Sequence, residues 1–186
     1  MPIPEHEGDL LPPFIGSPTN SSNCAPWSTD LTEVVPRFGT SRARREILAG
    51  LFEYRRGLRH YGIAGFQWLD GSFFDVMARE PRDVDVVTFL VTAPDTVTFE
   101  KLTEEARFLS LIEHDLSKEA YHVDPQFIDL RGDGIAIVQS VQFWYGLFSH
   151  DRTQRWRGIL RIPLGPDDEE DLDALAILDG LKQSSP

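Results

Sequence analysis

The chain has 186 residues, of which 41% are hydrophobic, 11% aromatic and 26% charged. That length suits one compact domain, and the apolar share excludes a wholly disordered chain. With 30 acidic against 18 basic residues the net charge is −12, which excludes a general polyanion-binding surface, and no apolar run reaches the ~18 residues of a membrane span.

The first segment, residues 1–36, holds Pro2, Pro4, Pro12, Pro13, Pro18, Pro26 and Pro36 and a Ser/Asn cluster from Ser17 to Asn23. Proline removes backbone donors and such clusters favour turns, so this is expected to be an extended arm. Leu10, Leu11, Phe14 and Ile15 are apolar enough to dock it on the body or to make a homodimer contact. Met1–Asp9 carries acid and no apolar stretch, unlike a secretory signal, and the single cysteine, Cys24, cannot close an internal disulfide. A cytoplasmic protein is expected.

After Gly39, Thr40 or Ser41 can cap a helix whose apolar residues Ile47, Leu48, Leu51, Phe52 and Leu58 recur at three- and four-residue steps. It is predicted to end near Tyr61-Gly62 and to carry its arginines on the opposite, solvated face. Ala64–Leu69 reads as a strand halted by Asp70-Gly71-Ser72, followed by a helical turn from Phe73 to Ala78 and a polar break. The β-branched run Val84–Val91 is a strand. Phe99–Ile112 has helical spacing. A strand from Glu119 or Tyr121 to Leu130 contains Pro125, which favours an edge or a bulge. Gly132 and Gly134 mark a turn. Ile135–Phe148 reads as a buried amphipathic helix, Trp156–Leu164 as a strand, and the acidic run Asp167–Glu170 opens a last helix. Helices alternating with strands predict an α/β (α+β) fold, a small mixed sheet flanked by helices.

Chemistry concentrates between Trp68 and Val87. Alternation along a strand puts Asp83 and Asp85 on one face, where two carboxylates repel unless a cation lies between them. Hard divalent ions such as Mg²⁺ or Mn²⁺ take such oxygen ligands together with substrate phosphates. Gly71 permits close backbone approach to a phosphate, Ser72 can donate its hydroxyl, and N–H groups opening the next helical turn favour an anion. Phosphate cradle and metal-holding pair together are the plan of metal-assisted nucleotidyl transfer, which needs one further carboxylate.

Gly71-Ser72, about eleven residues ahead of Asp83-Val84-Asp85, resembles the signature of the DNA polymerase β superfamily of nucleotidyltransferases. The resemblance implies the superfamily's fold over residues 37–186, an NTP substrate, a Mg²⁺ (or Mn²⁺) site at Asp83 and Asp85, and a third carboxylate on a later strand. His122–Ile128 fits that third position, so Asp124 is the expected ligand. Asp129 is the alternative if Pro125 breaks the strand's alternation. Leu10–Pro13, Arg37-Phe38-Gly39, the arginine-rich helix, Phe66–Phe73 and Arg157-Gly158-Ile159 further resemble a bacterial nucleotidyltransferase-like family. The acceptor, whether protein, tRNA or small molecule, is left open. The competing expectation keeps the fold without the activity, as in a toxin–antitoxin component with a cognate partner protein. Asp-x-Asp also occurs in sugar-nucleotide glycosyltransferases, but those need a larger sheet and leave Gly71-Ser72 without a role. His60, His114, His122 and His150 lack metal-ligand spacing. Trp144, Tyr145 and Phe148 read as core rather than a base-stacking platform, and Arg152, Arg155 and Arg157 chiefly as solvated surface.

Overall fold

A computed structural model of the chain describes residues 3–76 and 80–183, so that Met77 and Ala78 of the expected helical turn lie outside the described residues. Its strands are β1 (Trp27–Ser28), β2 (Ala64–Asp70), β3 (Val84–Thr92), β4 (Val123–Asp129) and β5 (Leu160–Leu164). They form one mixed sheet in the order β1-β5-β2-β3-β4, with β2 antiparallel to both β3 and β5 and with the β1–β5 and β3–β4 pairs parallel. The helices are α1 (Leu31–Phe38), α2 (Arg42–His60), α3 (Thr96–Leu102), α4 (Ala106–Ile112), α5 (His114–Tyr121), α6 (Gly134–Phe148) and α7 (Glu169–Gln183). The expected α/β class is the one observed.

Alternation on the strands builds two cores. Leu69, Val84, Val86, Val123, Leu160, Ile162 and Leu164 point to one face, where they pack with residues of α1, α2, α4 and α7 such as Val34, Leu48, Leu51, Phe108 and Leu178. Trp68, Val87, Phe89, Ile128 and Ile159 point to the other face. There α6 covers them with Ile137, Val141, Trp144, Tyr145 and Phe148, spaced along one helical side. Of the α6 aromatics, Phe148 is buried and Trp144 and Tyr145 are half-buried against this core, as their spacing predicts, but Phe143 is exposed, so the helix expected to be buried has one side in solvent.

Several boundaries differ from the sequence reading for local physical reasons. The proline-rich segment is extended only as far as Asp30, whose side chain accepts from the N–H groups of Thr32 and Glu33 and starts α1; Pro36 is tolerated inside it. The arm is also pinned inward, with Ile3, Leu10 and Leu11 at 6% exposure or less, so Leu10 and Leu11 are not free for a homodimer contact. The helix expected over Phe99–Ile112 is two short ones, and α5 occupies residues up to Tyr121 that were read as the start of a strand. Left-handed His122 (φ 56°) ends α5 and turns the chain directly into β4. The helical turn after Gly71 is only the three-residue 3₁₀ segment Ser72–Phe74, and the last strand begins at Leu160 rather than Trp156.

The arginines of α2 do not form a solvated face throughout. Arg55 is 1% exposed, and its guanidinium donates to both carboxylate oxygens of Asp171 (2.7 and 2.8 Å), to Gln67 Oε1 (2.7 Å) and to the Pro163 carbonyl (2.8 Å). Arg59 reaches the same carboxylate at 2.6 Å. Burial works against an ionised Asp171, but the two guanidinium partners outweigh it and hold its pKa below the ordinary value. Asp171, the residue after the acidic run that was read as a helix start, therefore ties α7 to α2 and the sheet.

Candidate functional site

The site forms where β2, β3 and β4 end beside α5. In the register of the sheet Asp70 stands opposite Asp85, and Asp85 opposite Asp124, so three carboxylate-bearing residues lie in one row across three adjacent strands. Asp85 shares its strand face with Val87 and Phe89, the side covered further along by α6. The β3–β4 register passes through the Val86–Pro125 pair without a break, so Pro125 introduces no bulge and is accommodated because β4 is an edge strand. Alternation therefore keeps Asp124 in the row. Asp129 stands opposite Leu90 at the far end of β4 and is paired with Arg131 at 2.8 Å, away from the site.

Gly71 follows Asp70 at φ 95°, a conformation that favours glycine, and an added Cβ would stand 2.3 Å from Asp85 Oδ2. The room the glycine leaves is taken by the Asp85 carboxylate, and Gly71 itself lines the cavity. The Ser72–Phe74 segment is too short to bring a useful helix dipole to an anion. Ser72 itself is exposed on the cavity wall. Behind it, Arg44 of α2 donates to the Phe73 and Asp75 carbonyls and fixes the path of the chain after the turn.

Asp70, Gly71, Ser72, Asp83, Asp85 and Asp124 all line one open cavity of about 990 Å³. Its other wall includes Trp144 and Leu147 of α6 with His150, Arg152 and Gln154 from the loop that follows. Every residue assigned to the site from sequence is thus brought to one place. Two of the arginines beyond α6 are engaged elsewhere or beneath it. Arg155 pairs with Asp9 and Asp151, both at 2.7 Å, and Arg157, 12% exposed, pairs with Asp70 and donates to the Phe148 carbonyl at 3.1 Å.

The electrostatics follow from this crowding. Burial, then the neighbouring Asp124 and Asp83, push the Asp85 pKa up to about 6. Burial drives Asp70 well above its ordinary value too, against the pull of Arg157. The cavity has more carboxylate than its own cations neutralise. Lys118, one turn along α5 from His114, puts its ammonium 3.1 Å from Asp83 Oδ2 and 2.8 Å from Asp124 Oδ2. Burial opposes the ammonium, but the two carboxylates outweigh it and raise the Lys118 pKa. His114 Nδ1 lies 2.6 Å from Asp124 Oδ1, yet that buried oxygen has no aligned hydrogen-bond partner.

Among the described residues, no group of three or more His, Cys, Asp or Glu is gathered as a ready metal cluster. The donor chemistry nevertheless fits a hard divalent ion: carboxylates from three adjacent strands, in excess of the neighbouring cations, line an open cavity. Asp83, Asp85 and Asp124 would hold such an ion, and the Lys118 ammonium pairs with two of them, Asp83 and Asp124.

The sequence reading missed Asp70, Lys118, His114 and Arg157. Asp70 was visible only as a strand-ending residue, and its place in the row depends on the β2–β3 register. Lys118 lies on a helix that was partly read as strand, and a lysine six residues before Asp124 has no local signature.

Residues 4–163 match the model of a family described as "Family of unknown function (DUF6932)". No curated protein and no solved structure matches the chain.

Proposed function

This chain belongs to the family of unknown function DUF6932, and we propose that it is a nucleotidyltransferase of the DNA polymerase β type, moving a nucleoside monophosphate from an NTP to an acceptor hydroxyl. The observation that carries the reading is the row Asp70–Asp85–Asp124, with Asp83 beside it, opening on a cavity of about 990 Å³ next to Gly71-Ser72. Asp83, Asp85 and Asp124 would hold Mg²⁺ or Mn²⁺. When bound, the ions would neutralise triphosphate charge and lower the pKa of the acceptor hydroxyl. The Ser72 hydroxyl donates to a phosphate oxygen, and the cavity carboxylates orient the acceptor and take its proton as the acceptor oxygen bonds to the α-phosphorus. The bond to the leaving oxygen breaks and pyrophosphate departs. Phosphoryl chemistry asks a protein chiefly for position and charge neutralisation, and this donor set supplies both. A cytoplasmic location accords with the lone cysteine, and among the described residues no helix is long and apolar enough to cross a membrane.

One observation favours a second reading, in which the fold is kept as an interaction protein such as a toxin–antitoxin component. Lys118 already supplies a tethered cation between Asp83 and Asp124. Incubation with each labelled NTP, Mg²⁺ or Mn²⁺ and cell extract separates the two. Under the enzymatic reading label passes to protein, RNA or a small molecule, NTP with Mg²⁺ raises the melting temperature, and Asp83→Ala or Asp124→Ala abolishes transfer without unfolding the chain. No transfer and no melting shift with any of the four nucleotides would leave the interaction protein.

A further inference from the structure

Both oxygens of the Asp124 carboxylate face nitrogens of α5. The Lys118 ammonium stands 2.8 Å from Oδ2, and His114 Nδ1 stands 2.6 Å from Oδ1. The same ammonium lies 3.1 Å from Asp83 Oδ2, so one lysine joins two carboxylates that reach the cavity from β4 and from the residue before β3. The other acids of this wall have cations of their own, Asp70 in Arg157 and Asp151 in Arg155. Asp83, Asp85 and Asp124 are left to Lys118, which cancels one of their three charges and leaves the deficit that one divalent ion would fill. Only side-chain ends need to move for the oxygens to come free. Ser117 anchors α5 as a buried residue, whereas the side chains of Lys118 and His114 are 33% and 51% exposed. Arg55, the permanent counter-ion of Asp171, is by contrast 1% exposed.

We propose, resting on the nucleotidyltransfer reading, that Lys118 is a tethered competitor of the divalent ion, holding Asp83 and Asp124 in the metal-free chain and releasing them when a triphosphate takes its ammonium. A hard ion needs carboxylate oxygens, and Oδ2 of both residues is already engaged by the ammonium. Lysine suits the exchange because it is a point charge on a flexible stem, with no fixed fork to lock it to one carboxylate. Without that charge the neighbouring carboxylates repel one another and attract any cation that enters. Lys118 and Ser72 line the same cavity, so a triphosphate held beside Ser72 offers the ammonium a more highly charged partner. The chain therefore takes up its ion weakly when alone and readily once nucleotide is in place.

Two binding measurements on the full chain test it, neither of which needs turnover. Nucleotide-free Mn²⁺ binding is followed by electron paramagnetic resonance, and metal-free binding of non-hydrolysable analogues of the four NTPs by equilibrium dialysis in EDTA. Lys118→Met is expected to bind Mn²⁺ about tenfold more tightly than the wild type and the preferred analogue about tenfold more weakly, opposite shifts that a damaged fold does not produce. Lys118→Arg keeps the charge and is expected to bind Mn²⁺ as weakly as the wild type. Arg152→Met removes a charge from the same cavity without touching these ion pairs and is expected to leave Mn²⁺ affinity unchanged. Equal Mn²⁺ affinity in the wild type and Lys118→Met overturns the proposal while leaving the metal site standing. So does equal analogue binding for all four bases, or an Arg152→Met that tightens Mn²⁺ as much as Lys118→Met. Mn²⁺ bound by none of these proteins, even with nucleotide added, removes the nucleotidyltransfer reading and the proposal together.

Discussion

Gly71 does two things that no other residue can do at that position. Its φ of 95° turns the chain out of β2, and its missing Cβ makes room for Asp85 Oδ2, which would otherwise be 2.3 Å away. Gly71→Ala is therefore expected to cost roughly 1–3 kcal/mol in urea unfolding, from backbone strain together with displacement of a carboxylate. A variant as stable as the wild type would show that the Asp85 side chain swings aside freely. Asp171 carries the residue-scale pH dependence. Its pKa is lowered in the folded chain, so the unfolded state binds the proton more readily. Stability from this group is full above the ordinary carboxylate pKa of about 4 and is lost as pH falls through the lowered folded value. Urea midpoints measured from pH 7 to pH 3 should fall more gently in Asp171→Asn than in the wild type. The same variant should already be about 3–5 kcal/mol weaker at pH 7, because buried Arg55 is left with its charge uncompensated.

At the scale of elements, side-chain caps set where the long helices α2 and α6 begin. Ser41 caps α2 as its position after Gly39 predicts, accepting from the Arg44 N–H at 3.2 Å. The close crossing of α2 and α5 depends on Gly50, where a Cβ would stand 2.0 Å from the Tyr121 carbonyl oxygen. That crossing aims His114 and Lys118, one turn apart, at Asp124. The start of α6 rests on Asp133, whose carboxylate accepts from the Ile135 and Ala136 N–H groups, both at 3.0 Å. Asp133→Ala is expected to cost about 1 kcal/mol and to speed amide exchange over the first turn of α6 more than in α2. Equal acceleration in both helices would mean that the cap contributes nothing local.

Over the whole molecule, the proline-rich arm is a structural strap. Trp27, 2% exposed, pairs through β1 with Leu160 and donates its indole N–H to the Pro12 carbonyl at 2.8 Å. Arg37 donates to the Ile3 carbonyl at 2.6 Å and holds the beginning of the arm. Trp27→Ala removes a large side chain from the first core and the anchor of the arm together. It is expected to cost about 3–5 kcal/mol and to expose the segment around Phe14 to proteolysis before the rest unfolds. Cleavage at the same rate as in the wild type would show that the arm is held elsewhere. Tertiary packing also recasts the charge pattern. Much of the local basic excess from Arg37 to Arg59 is spent inside, on Asp171, on the carbonyls behind the site and on the arm, and it does not meet the cavity as a phosphate-binding face.

Apart from α5, which was missed, and the single helix expected where α3 and α4 stand, the order of helices and strands from α2 onward, the core faces of α2 and β3 and the Gly71-Ser72 and Asp83-Val84-Asp85 pair were legible in the residues. Periodicity, caps and turn chemistry act over a few positions and need nothing from the rest of the chain. Where a local rule met a distant partner, local reading stopped short. Asp70 joins the carboxylate row only because β2 and β3 pair in one register. Lys118 comes between Asp83 and Asp124 only because α5 lies against β4. Arg55 is buried because Asp171, more than a hundred residues later, arrives to neutralise it. In α6 the spacing of Trp144, Tyr145 and Phe148 marked the side that meets the core, but which strands lie beneath it was decided by the pairing of β2, β3 and β4, because strand partners are distant in sequence.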